Sequence, residues 1–126
     1  MTKIFIIEDD EDISDILTLT LGNKYNLLII NDTNNLIKRI SDFSPDFIIT
    51  DNFVGQKVAV EIIKEIRDEH LFSNIPVILF SAHPDIKKLA EEIAANAYLS
   101  KPFTMEELNS CIDKVVAKLT CVKEVQ

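Results

Sequence analysis

The sequence has few of the residues that several common functional sites require. It contains no tryptophan and only two glycines, Gly22 and Gly55. Nucleotide-binding phosphate loops and dinucleotide-binding turns need two or more glycines within one short loop, so both motifs are absent. The two cysteines, Cys111 and Cys121, form no CxxC pattern and have no neighbouring histidine. This argues against a zinc site and predicts two free thiols.

Positive charge and long apolar segments are also scarce. Thirteen Lys and Arg stand against 21 Asp and Glu, which gives a net charge of −8. That sign is unfavourable for binding nucleic-acid phosphates or an anionic membrane surface. The apolar run at residues 4–7 is too short for a signal peptide or a membrane span. The sequence therefore predicts a cytoplasmic protein that contacts neither nucleic acid nor membrane directly.

What the chain does have is enough apolar sequence for one core. It has 126 residues, of which 47% are apolar and 27% charged, as expected for one compact domain. A chain of this length can form its core without a disulfide or a structural metal. We predict one domain over residues 1–119 and a short polar C-terminal tail at 120–126.

Short apolar runs alternate with segments of helical periodicity along the whole chain. The five runs are continuous and rich in Ile, Val and Phe, which is typical of parallel strands covered on both faces; they are residues 4–7, 27–30, 47–49, 77–80 and 97–99. Between and after them, apolar residues recur at helical spacing, and Thr104 with Glu107 predicts a capping box for the fifth helix. This pattern predicts a flavodoxin-like (βα)5 doubly wound parallel sheet, a three-layer α/β/α fold with strand order 2-1-3-4-5.

Polar side chains follow the apolar runs where such a sheet places its ligand crevice. Glu8 and Asp9 follow the first run, Asp51 the third, Ser81 the fourth and Lys101 the fifth. Three carboxylates at neighbouring strand ends repel one another unless a cation lies among them, and hard oxygen ligands favour Mg²⁺. Calcium is disfavoured because no twelve-residue calcium loop is present. The acidic residues at 10–12 are better explained as the cap of the first helix.

On these residues the sequence resembles the receiver domain of two-component response regulators, from Lys3 to about Leu119. The matching features are Glu8-Asp9, Asp51 at the end of PDFIITD, Ser81-Ala82, Tyr98, and Lys101-Pro102-Phe103, in the family's order and spacing. The resemblance implies a phosphorylation-switched signalling receiver. The resemblance also implies that the protein is not an enzyme in the usual sense, although it would assist its own phosphorylation and dephosphorylation.

The resemblance also implies a role for each site residue. Asp51 would accept a phosphoryl group from a phosphohistidine of a sensor histidine kinase or a phosphotransfer protein. Glu8, Asp9 and Asp51, with the backbone carbonyl of Phe53, would hold Mg²⁺. Lys101 would contact the Asp51 carboxylate in the resting state and a phosphoryl oxygen after the transfer, and Ser81 would donate to another phosphoryl oxygen. These roles suit a reaction that depends on positioning and charge neutralisation.

Further positions in the resemblance concern switching and lifetime. Tyr98 would rotate inward when Ser81 moves toward the phosphoryl group, which would change the protein-binding face of the fourth helix, fifth strand and fifth helix, roughly residues 84–114. Phe53 and His83 would tune loss of the phosphoryl group, and the Lys101-Pro102 bond is expected to be cis. The predicted partners are a phosphodonor and a downstream protein target, and the chain is expected to be a monomer or a weak dimer with no output domain of its own.

Three positions depart from the family pattern. Gly55 stands where the family usually has proline, and Ala59 and Ala97 stand where it often has glycine. Because of the departure at Gly55, the family pattern does not predict the shape of the loop at residues 52–58. Glycine should make the backbone there more flexible than proline would.

Two other classes of function were compared with a switched receiver. A constitutive protein-binding pseudo-receiver should lack the acidic pair, Asp51 or Lys101, yet all are present. A flavodoxin would need a loop rich in Ser, Thr and Gly after the first strand, where this chain has five acidic residues. Aspartyl phosphatases use an Asp-x-Asp motif, and Asp51-Asn52-Phe53 lacks its second acid.

Overall fold

A computed structural model describes the backbone of residues 1–125 and the side chains of residues 1–119. Five strands form the main sheet: β1 Lys3–Ile7, β2 Asn26–Ile30, β3 Phe47–Asp51, β4 Val77–Ser81 and β5 Ala97–Ser100. The five helices are α1 Glu11–Leu21, α2 Leu36–Phe43, α3 Ala59–Arg67, α4 Ile86–Glu92 and α5 Met105–Val125. A short 3₁₀ turn spans His70–Phe72.

The sheet is parallel throughout, with the order β2-β1-β3-β4-β5. Its register pairs Ile7 with Thr50 and Asp51 with Phe80, so the ends of β1, β3 and β4 lie side by side at one edge. The predicted doubly wound fold and strand order are confirmed.

Residues of alternating strand positions form two cores, one on each face of the sheet. Phe5, Ile7, Ile48 and Leu79 pack on one face against apolar side chains of α2, α3 and α4. The intervening strand residues, Ile4, Ile6, Ile49 and Phe80 among them, pack on the other face against α1 and α5. Because both faces are covered, the strands contain continuous apolar runs, as the sequence indicated.

Two helix starts follow the side-chain chemistry expected from the sequence. The Asp10 carboxylate accepts hydrogen bonds from the amides of Asp12 and Ile13 at 2.9 and 3.2 Å, and so caps α1. Thr104 and Glu107 bond each other's backbone amides, both at 3.0 Å, and form the predicted capping box of α5. Such caps satisfy amides that have no partner within the helix.

The sequence did not predict the shape of the loop at residues 52–58. In the structure this segment contains a small antiparallel hairpin, with strands at Phe53–Val54 and Lys57–Val58. The fifth helix continues to Val125, and the domain boundary expected at residue 119 stays a prediction.

Two features of the described residues bear on the predictions made from composition. Cys111 is a free thiol, and Cys121 lies outside the residues whose side chains are described. Among the described residues no helix combines the length and apolar character needed to span a membrane.

Candidate functional site

The candidate site lies at the carboxyl ends of β1 and β3, where strand pairing brings their last residues together. Glu8 follows β1, and its amide donates to the Ile30 carbonyl at 2.9 Å, which continues the pairing of β1 with β2. Its side chain is almost fully buried, with 1% exposed. Asp9 is exposed and Asp51 is partly buried. One carboxylate oxygen from each of the three lies within 4.8 Å of the others, so the structure brings together the acidic residues that the sequence singled out.

Lys101 lies against two of these carboxylates. Its ammonium is 2.8 Å from Glu8 Oε1 and 3.2 Å from Asp51 Oδ2. The lysine side chain is 14% exposed and that of Glu8 1% exposed. When all four groups are ionised, three negative charges face one positive charge. The site is therefore left with an excess negative charge that a divalent cation would neutralise.

Backbone amides hold the carboxylates in place. Asp51 Oδ1 accepts from the amide of Asn52 at 2.8 Å, and Glu8 Oε2 accepts from the amide of Asp10 at 3.3 Å. Asp9 Oδ2 accepts from the amide of Gly55 at 3.1 Å. These three bonds could not be predicted from the sequence, because every residue except proline has a backbone amide donor and residue types therefore do not indicate which amides take part.

Burial and charge shift the pKa values at the site. Burial is the main reason that the pKa of Glu8 rises from 4.5 to about 7; the charge of Asp51 adds to the rise and Lys101 opposes it. Burial disfavours the charged form of Lys101, but its hydrogen bond and charge interaction with Glu8, together with those to Asp51, raise the pKa of Lys101 above its usual value. Lys101 thus stays charged at neutral pH, and Glu8 is the member of the pair whose charge depends on pH.

Ser81 and His83 lie on the loop that follows β4. The Ser81 side chain is buried and its hydroxyl oxygen accepts the His83 amide at 3.0 Å, which leaves the hydroxyl hydrogen free to donate elsewhere. His83 is exposed, and its Nδ1 accepts the amide of Asp85 at 3.0 Å, so Nε2 carries the proton when the ring is neutral. The amide of Lys101 donates to the Ser81 carbonyl at 2.9 Å, which ties this loop to the end of β5.

The side chains of the two remaining predicted positions, Phe53 and Tyr98, are about half exposed. Phe53 is 56% exposed in the hairpin, and Tyr98 is 43% exposed on β5. Tyr98 lines a groove of about 670 Å³ that also includes Ala90 of α4 and Cys111 of α5. The Lys101-Pro102 peptide bond is cis, as expected.

Comparison with known proteins places these features in one family. A family model described as the response regulator receiver domain matches residues 4–113. The chain is 25% identical over 119 residues to the alkaline phosphatase synthesis transcriptional regulatory protein PhoP of Bacillus subtilis, an alignment that covers 92% of this chain and 49% of PhoP. The chain spans 8% to 49% of the length of three curated relatives, two of which are histidine kinases.

Solved structures show the same fold. The N-terminal domain of the nisin resistance regulator NsrR is 27% identical, with a TM-score of 0.79, over 94% of this chain and 98% of that one. The receiver domain of the Pseudomonas aeruginosa sensor histidine kinase PA1611, solved with a magnesium ion in its active site cleft, is 20% identical with a TM-score of 0.78, over 90% and 95% of the two chains.

Proposed function

The chain belongs to the response regulator receiver domain family, and from this premise we propose that it is a phosphorylation-switched receiver in which Asp51 accepts the phosphoryl group. One observation carries the proposal: Asp51 lies between two further carboxylates and an ammonium group, with ligand oxygens of the three acids within 4.8 Å of one another. A constitutive binding module has no need of this costly arrangement of buried charge.

The reaction needs little from the protein beyond position and charge. A carboxylate oxygen of Asp51 forms a bond to phosphorus, the bond from phosphorus to the donor imidazole nitrogen breaks, and the electron pair stays on that nitrogen. The ammonium of Lys101, now 3.2 Å from Asp51, would contact a phosphoryl oxygen, and the hydroxyl of Ser81 would donate to another. Groups aimed in advance at developing negative charge supply much of the catalysis in such transfers.

Glu8, Asp9 and Asp51, with the backbone carbonyl of Phe53, are the residues we propose to hold Mg²⁺. The donor set fits, because magnesium favours carboxylate, carbonyl and water oxygens, and the PA1611 receiver domain binds magnesium in its active site cleft. When bound, the ion would neutralise the carboxylates and the incoming phosphoryl oxygens.

Magnesium removal provides the direct test of this metal site. Asp9→Asn should weaken Mg²⁺ binding by more than roughly 10-fold, since loss of an outer-shell partner already costs that much, and it should slow labelling by acetyl phosphate. Calorimetry measures the first effect and intact mass the second. Asp10→Asn is the matched control, because asparagine caps a helix as well as aspartate does. Labelling that survives a chelator would contradict the metal requirement.

The output of the switch is proposed to be the face formed by α4, β5 and α5. Its groove and the half-exposed ring of Tyr98 support this choice. A hydroxyl drawn from Ser81 toward a new phosphoryl group leaves space beside β5 that an aromatic ring can enter. A downstream protein that prefers one of the two conformations would also shift the equilibrium between them. The phosphodonor is proposed to be a histidine kinase or a histidine phosphotransfer protein.

Beryllofluoride with magnesium, which stands in for the phosphoryl group on Asp51, should shift amide resonances across residues 81–110. The expected cause is movement of Ser81 and of the Tyr98 ring. Two-dimensional NMR of the labelled chain measures it, with Asp51→Asn plus the same reagents as the control. A response confined to the loops that hold Glu8, Asp9 and Asp51 would refute the switch but not the phosphoacceptor.

A further inference from the structure

The hairpin after β3 is anchored at its base and along one side. The amide of Ala59 donates to the Asn52 carbonyl at 2.8 Å and closes the base. Val54 is 2% exposed and belongs to the core packed against α3. Lys57 forms an ion pair with Glu65 of α3 at 3.7 Å. The tip of the hairpin is therefore held by the protein rather than free in solvent.

Gly55 forms the first residue of the two-residue turn at this tip. Its φ of +62° lies in the left-handed region, where glycine is favoured. In this conformation its amide donates to Asp9 Oδ2 at 3.1 Å, across 46 residues of sequence. Proline, which the family pattern would place here, has no amide hydrogen and a fixed negative φ, so it could not form this bond.

We propose that Gly55 is a positioning residue for the metal site. Its amide holds the Oδ2 atom of Asp9, whose carboxylate lies in the cluster with those of Glu8 and Asp51, and so sets the orientation of that carboxylate. This inference rests on the proposed function, because it assumes that Asp9 is a metal ligand. The inference goes beyond the proposed function because it assigns part of the affinity for Mg²⁺ to a hairpin that contributes no side chain to the metal site.

The bond also couples the hairpin to the metal. The amide of Gly55 restricts the Asp9 side chain before a cation binds, so less conformational entropy is lost on binding. Outer-shell partners orient metal ligands in the same way in other proteins. Linkage is reciprocal, so an ion bound to Asp9 must in turn stabilise the bond from Gly55. Mg²⁺ should therefore slow the exchange of the Gly55 amide hydrogen with solvent.

The decisive variant removes the amide hydrogen that Asp9 accepts. Glycolic acid at position 55 turns the amide between Val54 and Gly55 into an ester, which removes the N–H and keeps the freedom of the backbone. We expect the dissociation constant for Mg²⁺, measured by calorimetry, to rise about 10-fold. Gly55→Asn is the matched control: asparagine keeps the N–H and tolerates the left-handed region, and a Cβ at this position meets no heavy atom within 4 Å.

Three outcomes separate this inference from the proposed function. The inference is supported if Mg²⁺ binds more weakly to the ester variant but not to Gly55→Asn, and if Mg²⁺ slows exchange of the Gly55 amide hydrogen in the wild-type chain. Binding in the ester variant equal to wild type, or faster Gly55 exchange with Mg²⁺, overturns it and leaves the metal site standing. A wild-type chain that binds no Mg²⁺ overturns both. Thermal unfolding of each variant without metal shows that the fold is retained.

Discussion

Asp51→Asn should abolish phosphorylation. With acetyl phosphate and magnesium, the wild-type chain should gain the mass of one phosphoryl group, whereas the variant should show no labelling above background. The amide has the size of the carboxylate, but its nitrogen and carbonyl oxygen lack the charge and nucleophilicity that the transfer needs. Intact mass spectrometry measures the result directly.

The same variant should lose most of its stabilisation by magnesium. A ligand at 100 times its dissociation constant stabilises the fold by about 2.7 kcal/mol, and the variant binds the ion with one carboxylate fewer. Without metal its stability should be close to wild type, because the substitution relieves repulsion with Glu8 while it weakens the contact with Lys101. Thermal unfolding with and without magnesium measures both effects.

Asp10→Asn is again the control, since it makes the same chemical change in a neighbouring residue and leaves the carboxylates of Glu8, Asp9 and Asp51 unaltered. It should be labelled like wild type. Full labelling of Asp51→Asn would instead mean that another carboxylate accepts the phosphoryl group, and peptide mapping would then identify it.

The fold was predictable because its core leaves a simple pattern in the sequence. Strands covered on both faces must be apolar without interruption, and each such run, for example residues 4–7 or 77–80, became a sheet strand. The hairpin at residues 53–58 left no such pattern. Its strands have two residues each and only Val54 enters the core, so periodicity could not reveal it.

The site was predictable at the level of residues and not of bonds. The parallel sheet forces Glu8, Asp9 and Asp51 to one edge, so their approach followed from the strand assignment alone. The sequence predicted contact of Lys101 with Asp51, which the structure confirms at 3.2 Å, but the shorter contact is with Glu8 at 2.8 Å. That preference depends on side-chain length and burial, as does the raised pKa of Glu8, and neither can be read from spacing.

Lys101→Met should slow labelling by acetyl phosphate by roughly 100-fold to 1000-fold, the usual cost of losing one donor aimed at developing charge. Methionine keeps much of the volume of the side chain and removes its charge. Lys88→Met is the control, because Lys88 is an exposed lysine of α4. Labelling at the wild-type rate with an intact fold would contradict the role proposed for Lys101.

The effect of Lys101→Met on the free energy of unfolding should depend on pH, and the titration of Glu8 determines whether the effect grows or shrinks as the pH rises. Its pKa is raised from 4.5 to about 7, so folding favours the protonated carboxyl. Stability from this group is full below pH 4.5 and is lost as the pH rises through about 7. Lys101 lowers the pKa of Glu8 and so limits that loss. In Lys101→Met the pKa of Glu8 rises further, and the loss becomes larger and extends to higher pH.

The difference in free energy of unfolding between wild type and Lys101→Met should therefore grow with pH. In the absence of magnesium it should approach about 3 kcal/mol near pH 8, the lower end of the cost of leaving a buried charge without its partner. Near pH 6 the difference should be smaller, because a protonated Glu8 carries no charge for the ammonium of Lys101 to neutralise. Urea unfolding at the two pH values measures the difference. A cost that does not change with pH would mean that Lys101 stabilises the fold by packing and not by its charge beside Glu8.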